Sequence, residues 1–433
     1  MTTVTPSAMS GSVWSNANFR RLWIGSGASS LGSEIAEIAV PLLALVTLSA
    51  SAAELSAVRF AQFLPFLLAA LPFGLMVDRL QSKRLALMVG SDVGRFVLVA
   101  SIPIVVWAGV ASIELLCITV FCVAVLTVLF QVADFALLPA LVPAGMLIEA
   151  NGKITATHSA NEIGGRGLGG LLVQAVSAPV AVLANALGFL VSAISLRRIR
   201  VPHPGRSSDR TAPPALSARQ AIGEGLKMAL GNRYIRPLLG EATTFNLFNE
   251  VFILALMLIM VRDLDFSPAA IGLVFTAGGV GSFAGAWFGA RLTGRYGYGR
   301  VLLVTLIIGN GAPLAAILVD RTDLPLALLC AAFLMMGIGI GVANVHAVSL
   351  RQTAVSADLL GRVNAAYRLI SWGAIPLGAA AGGFLATYAG AQTALTVGAI
   401  GVASATLWVA FSAVPRLATI DISEGHEPAT PAP

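Results

Sequence analysis

Charge is scarce in this chain: 11% of its 433 residues are Asp, Glu, Lys or Arg, against roughly a quarter in a soluble globular protein. Cysteine is scarcer still. Cys117, Cys122 and Cys330 all lie in apolar runs and form no CxxC pair, so they read as small buried hydrophobes rather than a disulfide or metal framework. The four histidines, His158, His203, His346 and His426, show no metal-ligand spacing. No G-x-x-x-x-G-K-[ST] run offers an ATP-binding loop, and no Ser/His/Asp or Cys/His constellation stands out. The first 18 residues are polar and uncharged, and the first apolar run follows Arg20 and Arg21 directly, so no cleavable leader is expected. These absences exclude a disordered chain, a nucleic-acid-binding domain and an ordinary soluble enzyme, and leave no expected cofactor or metal.

What is abundant is apolar sequence: 57% of residues are hydrophobic and the mean hydropathy is +0.85. Apolar runs of about 20 residues recur along the whole length, the size that crosses a bilayer as a helix. Membrane β-strands would be runs of ~10 residues with alternating polarity, so a barrel is excluded. Twelve spans are predicted, near 22–48, 54–77, 85–108, 113–136, 155–177, 179–196, 236–261, 268–290, 300–319, 324–349, 363–388 and 391–414. Lipid offers no partner for backbone amides, so these must be helices in a bundle.

Orientation follows from the basic residues. With the N-terminus inside, the inner segments hold 21 of the 27 Lys and Arg, the outer loops hold Arg262 and Arg321 only, and Arg59, Arg95, Arg166 and Arg368 fall within spans. The positive-inside rule then places both termini in the cytoplasm of a bacterial inner membrane. A cytoplasmic tail (1–21), a first bundle (22–196), a connector (197–235), a second bundle (236–414) and a tail (415–433) follow. The connector opens as a charged Pro/Ser linker and continues as LSARQAIGEGLKMALGN, whose helical spacing suits a surface-lying amphipathic helix.

The two bundles repeat. GLMVDRLQSKR from Gly74 and GARLTGRYGYGR from Gly289 follow the second and eighth spans, 215 residues apart. GRGLGGLL from Gly165 matches GAAAGGFL from Gly378 at an offset of 213, and Glu34 and Glu250 differ by 216. A duplicated six-helix unit is the architecture of carriers that rock two halves about a central site.

With these features in hand, the chain resembles the major facilitator superfamily. GLMVDRLQSKR is similar to that family's loop signature, G-x-x-x-D-R-x-G-R-[KR]: Gly74, Asp78, Arg79, Lys83 and Arg84 match, and Gln81 replaces a glycine. NFRRLWIGSGASSLGSEIAEIAVPLLAL, RFAQFLPFLLAALPFGLMVDR, DFALLPALVPAGMLIEAN and EGLKMALGN resemble its macrolide and siderophore exporter branch. GGRGLGG resembles the antiporter signature of the fifth span, with Arg166 where proline is usual. The resemblance implies an all-α membrane protein of twelve helices in two pseudo-symmetric six-helix bundles that exports small amphipathic molecules in exchange for protons; an importer or facilitator of a specific metabolite in the same fold is the close alternative, and a non-transporting membrane enzyme or scramblase the more distant one. Its expected partners are the lipid bilayer, protons and that substrate, with no nucleic acid, in a monomer.

Charges deep in a span are expensive and mark function. Glu34 lies about 12 residues into the first span, ~18 Å at 1.5 Å per residue, and Glu37 sits three residues on along the same face. Two carboxylates so close resist ionising together, which suits a site that carries a proton or recognises a cation. Glu250 is their repeat-related counterpart, preceded by Asn246 and Asn249 in FNLFNE; Glu241 lies nearer the inner surface. Glu162 and Arg166, four apart, can pair as a structural lock or as part of the cavity. GRGLGG also fits G-x-G-x-x-G, but no strand precedes it, and small residues for close helix contact explain it better. Asp78 at the inner end of the second span can cap a neighbouring helix and, with Gly74, Arg79, Lys83 and Arg84, reads as a gate. Asp134 is a candidate partner for that basic cluster, and Asp92 and Arg95 candidates to join it. The second copy has Thr293 where Asp78 stands, so the lock should be asymmetric. Arg59, near the outer end of its span, is expected to snorkel to the interface, and Arg368 likewise at the inner end.

Overall fold

The computed structural model of the protein describes residues 12–69, 72–73, 76–77, 80, 83–143, 146–199, 218–355 and 357–419, and no strand occurs among them. The first half contains α1 (Ala17–Leu42), α2 (Ala52–Leu68), α3 (Arg84–Trp107), α4 (Ile113–Leu141), α5 (Leu147–Ala175) and α6 (Ala178–Arg197). A π turn, Leu43–Thr47, prolongs α1. A short helix, α7 (Ala218–Gly231), precedes the second half: α8 (Ile235–Arg262), α9 (Pro268–Tyr296), α10 (Tyr298–Gly311, continued by a 3-10 stretch Ala312–Arg321), α11 (Pro325–Ala354), α12 (Ala357–Tyr388) and α13 (Ala391–Ala410).

Local sequence sets the helix ends. Ser51 and Glu54 form a reciprocal capping box that starts α2. Ser267, followed by Pro268 in the first turn, accepts from the Ala270 N–H and starts α9. At Gly390 the backbone takes φ 86°, a value only glycine adopts without strain, and the chain reverses from α12 into α13.

Ten of the described helices are long and apolar enough to cross a membrane. The remaining two of the twelve expected spans are helical as well: the described part of α2 stops at Leu68, and α5 carries Glu149, Lys153, Glu162 and Arg166 along its length. Several helices overrun their predicted spans, since hydropathy fades where charge begins while backbone hydrogen bonding continues: α1 begins at Ala17, α9 ends at Tyr296, α11 ends at Ala354 and α12 begins at Ala357. The span expected at 113–136 runs to Leu141, and that expected at 155–177 begins at Leu147.

The repeat is visible in the packing. Helix α1 lies along α5 and α6 as α8 lies along α12 and α13, and α2 packs on α4 as α9 packs on α11. The correspondence reaches single atoms. A Cβ on Gly165 would meet the Cβ of Glu34 and the carbonyl of Leu31; one on Gly378 would meet the Cβ of Glu250 and the carbonyl of Leu247. These glycines let the fifth and eleventh spans approach the glutamate-bearing helices, in the manner of small-residue contacts in membranes. The connector helix α7 rests on the start of α12, where Glu224 pairs with Arg362.

The halves join through α2 against α12 and α5 against α9. One hydrophobic cluster spans both halves at the end bearing the 48–51, 175–178 and 263–267 connections, here the loop end; it runs from Leu42, Leu43 and Val173 to Met257, Ile271 and Leu395. At the opposite end, where α1 begins and α13 stops, each half keeps a separate cluster, around Phe19, Met88 and Leu196 in one and Leu238, Tyr298 and Val409 in the other. Polar contacts follow the same pattern. Among the described residues the hydrogen bonds between halves are Arg262 to the Ala50 carbonyl, the Ala269 N–H to Gln174 (3.2 Å), Ser56 to the Ala379 carbonyl (2.8 Å) and those of Arg59 described below. The loop end is therefore shut.

Close backbone contact between halves makes this closure sensitive to side-chain size. A Cβ on Gly170 of α5 would stand 2.9 Å from the Cα of Gly272 on α9. Gly170→Leu should disfavour the loop-end-shut state by about 1–3 kcal/mol of overpacking, a population shift of roughly 5–150-fold. The check is an Asn249→Cys reporter in a background lacking Cys117, Cys122 and Cys330, modified by an impermeant thiol reagent from the loop side. Faster modification is expected, and an unchanged rate would refute the closure role of this contact.

Candidate functional site: an ion-paired chamber between the halves

Two connected chambers lie where the halves meet. The smaller, about 170 Å³, is bounded by Glu37, Arg59, Asn249, Glu250, Glu162 and Arg166 with an apolar wall that includes Met257, Phe275 and Phe333. The larger, about 630 Å³, shares Glu37, Glu162 and Arg166 and adds Glu34, Gln62, Phe63, Phe66, Gln131, Asn185 and Trp372. The second volume falls within the range of small-molecule sites, and an apolar wall with a few convergent polar groups is their usual composition.

Arg59 is the centre of the arrangement. Its guanidinium forks onto Glu250, with Nε donating to Oε1 at 2.7 Å and Nη2 to Oε2 at 3.1 Å, while Nη1 donates to Glu37 Oε1 at 2.6 Å. Gln62, one turn further along α2, donates to the other Glu37 oxygen at 3.1 Å, and the guanidinium lies over the Phe63 ring. Arg59 is only 7% exposed and Glu250 4%. This corrects the snorkelling expected for Arg59: the side chain turns inward because two carboxylates await it, one from each half. The sequence signal was present in the acids. A carboxylate held at mid-membrane depth requires a cation, and Arg59 is one of few within reach.

A second cluster stands beside the first. Arg166 donates from Nε to Glu34 Oε2 at 3.0 Å, and its Nη2 lies 3.5 Å from Glu162 Oε1. The α5 pair anticipated from its i,i+4 spacing is therefore formed, and extended to α1. The geometry changes the reading of Glu34 and Glu37 as a mutually repelling pair. They share a helix face, but each has its own guanidinium, Arg166 for Glu34 and Arg59 for Glu37. In all, four carboxylates face two guanidiniums.

The remaining candidates divide. Asn249 lines the smaller chamber, and its Oδ1 has no hydrogen-bond partner among the described residues; the same holds for Gln62 Oε1. Asn246 instead donates to the Ser371 carbonyl at 2.7 Å, tying α8 to α12. Glu241 is buried behind the chamber, where it accepts from Asn310, which also donates to Thr406. Asp92 and Arg95 pair with one another inside the first half, at 0% and 2% exposure, with the guanidinium between the Phe130 and Phe189 rings. They form an ion pair in the core of the first half, within electrostatic reach of Asp134. Asp134 lies one turn beyond Phe130 on α4. Gly74, Asp78 and Arg79 lie outside the described residues; of that motif Lys83 immediately precedes α3 and Arg84 begins it. Arg368 lies over the Trp372 ring at 4.6 Å.

An all-helical membrane protein built of two repeated halves, joined by α2–α12 and α5–α9 around a partly charged chamber, is a transporter of the major facilitator type. The chain belongs to the transmembrane secretion effector family, whose pattern matches residues 9–432. It is 26% identical to the multidrug efflux pump Tap of Mycolicibacterium fortuitum over 90% of this chain and 94% of that one. It is 24% identical to macrolide efflux protein A of Streptococcus pyogenes, over 83% and 87%. Its fold matches a bacterial homologue of the iron transporter ferroportin in an inward-facing state, with a TM-score of 0.68 at 14% identity over 92% of this chain and 99% of that chain.

Proposed function

We propose that this transporter exports amphipathic small molecules, cations included, in exchange for protons. The observation that carries the reading is the excess of carboxylate in the chamber: Glu34, Glu37, Glu162 and Glu250 face only Arg59 and Arg166. Such a site can accept protons or a cationic group without stranding a positive charge in low dielectric. Phe63, Phe66, Trp372 and the aliphatic wall supply the apolar contact. The efflux relatives are consistent with export.

The proposed cycle uses the asymmetry of the two ends. In the loop-end-shut form Arg59 ties Glu37 of one half to Glu250 of the other. With a proton on one of the excess carboxylates Arg59 still holds the other and the loop end stays shut, so protons taken up from the loop side return the carrier to this form. A cation entering from the opposite end competes for the same carboxylates and displaces the proton. Substrate thus carries the charge change that rocks the halves. The test is a substrate panel in everted vesicles with an imposed pH gradient: accumulation of lipophilic cations that collapses with a protonophore is expected, and accumulation indifferent to the gradient would rule out exchange.

The same reading places both termini in the cytoplasm, from the distribution of Lys and Arg. Reporter fusions after residues 210 and 433 should both score cytoplasmic, and a periplasmic signal from either would overturn the orientation.

A further inference from the structure

Away from the chamber, a groove of about 940 Å³ runs over the second half where α8 begins and α13 ends. Gly240 of α8 lies against Trp408, one of its lining residues. A Cβ there would meet the Trp408 ring at 2.5–2.9 Å, so the missing side chain lets the indole lie flat along α8. Trp408 Nε1 donates to Thr244 Oγ1 at 3.0 Å, which fixes the ring. Leu407, Trp408 and Phe411 continue outward as an apolar wall, and Phe411 is 87% exposed.

The rim has the opposite character. Arg233 comes from the turn before α8, Arg236 from its first turn, and Arg416 from the turn that follows α13. All three are exposed, and none has an acidic partner among the described residues. In the chamber both arginines are held by carboxylates; here three guanidiniums converge without one. They sit at a helix start and just past a helix end, at headgroup depth for spanning helices, with the aromatic wall extending toward the hydrocarbon.

We infer that this groove binds an anionic phospholipid, its phosphate held by Arg233, Arg236 and Arg416 and its acyl chain laid along Leu407, Trp408 and Phe411. Guanidinium forks match phosphate oxygens, basic pockets beside membrane helices hold lipid headgroups, and indole rings favour the interfacial layer. A free phosphate shares the headgroup chemistry but would leave the apolar wall uncovered, whereas a lipid covers both rim and wall.

The test is native mass spectrometry of the full chain titrated with dioleoylphosphatidylglycerol, dioleoylphosphatidylcholine and inorganic phosphate. Phosphatidylglycerol should bind preferentially. Arg233→Gln/Arg236→Gln/Arg416→Gln together should weaken it at least tenfold, while the triple Lys replacement retains most of it. Equal binding of phosphatidylcholine, an unaffected Gln variant, or displacement of the lipid by millimolar phosphate would overturn the proposal. So would phosphatidylglycerol binding that appears only after residues 420–433 are removed, since Asp421, Glu424 and Glu427 would then be the groove's acidic occupant. Should the Gln variant fail to run as a monodisperse species, the wild-type preference between the two lipids decides.

Discussion

Under the proposed exchange, Arg59→Gln should reduce gradient-driven export at least tenfold and loosen the loop-end closure. The guanidinium satisfies Glu37 on α1 and Glu250 on α8 at once, and both Arg59 and Glu250 are almost fully buried. Removing one member of a buried ion pair costs about 3–5 kcal/mol, because the partner's charge is left uncompensated. Here two carboxylates lose their cation together. Arg59→Lys should restore little: an ammonium is a single point charge, whereas the native side chain forks onto Glu250 through Nε and Nη2 and keeps Nη1 for Glu37. Adding Glu250→Gln to Arg59→Gln should recover part of the lost thermal stability, since it removes an unpaired charge, but not the transport. The measurements are initial export rate in vesicles and unfolding temperature in detergent, compared across both single variants and the double. Independent, additive effects would show that the two side chains do not act as a unit, and a wild-type rate for Arg59→Gln would remove the tie from the mechanism.

The tie also shows where reading the sequence succeeds and where it stops. Helix existence was legible because twenty apolar residues in a row have few other fates in a bilayer. The duplicated unit was legible in spacings, and the structure renders it as Gly165 against Glu34 and Gly378 against Glu250. The Glu162–Arg166 pair was legible because four residues make one helical turn. Arg59 was not, because its partners lie 22 residues back and 191 residues on, and no local spacing reports a contact across two halves. The same limit applies to Arg166 and Glu34, 132 residues apart. It applies also to Asp92 and Arg95, read only as candidates for the inner network: their pairing and the placing of the guanidinium between Phe130 and Phe189 depend on α4 and α6. Repeat symmetry itself misleads here: both chamber arginines come from the first half, and the residues at the corresponding positions of the second half, Val274 and Ala379, are apolar. The scaffold is symmetric and its charges are not.

That asymmetry sets up a variant that separates coupling from folding. Glu34→Gln with Glu37→Gln removes two carboxylates, yet each guanidinium keeps a partner: Arg59 retains its fork on Glu250, and Arg166 retains Glu162. The chamber passes from four carboxylates against two guanidiniums to two against two, so no charge is stranded and the halves stay joined at α2–α8. Under the proposed exchange the double variant should therefore fold and still cycle, while losing gradient-driven accumulation. Counterflow of a neutral substrate should persist, since alternating access needs no net proton movement. A lipophilic cation should suffer in both assays, having lost the excess negative charge that offset its own. Uptake into everted vesicles across about pH 6 to 8, the window around neutrality, distinguishes the alternatives. A flat pH profile with equilibrated substrate is the expected result. If uphill accumulation and its pH dependence both survive, Glu34 and Glu37 serve only to hold Arg166 and Arg59 in place, and the proton must travel through another group.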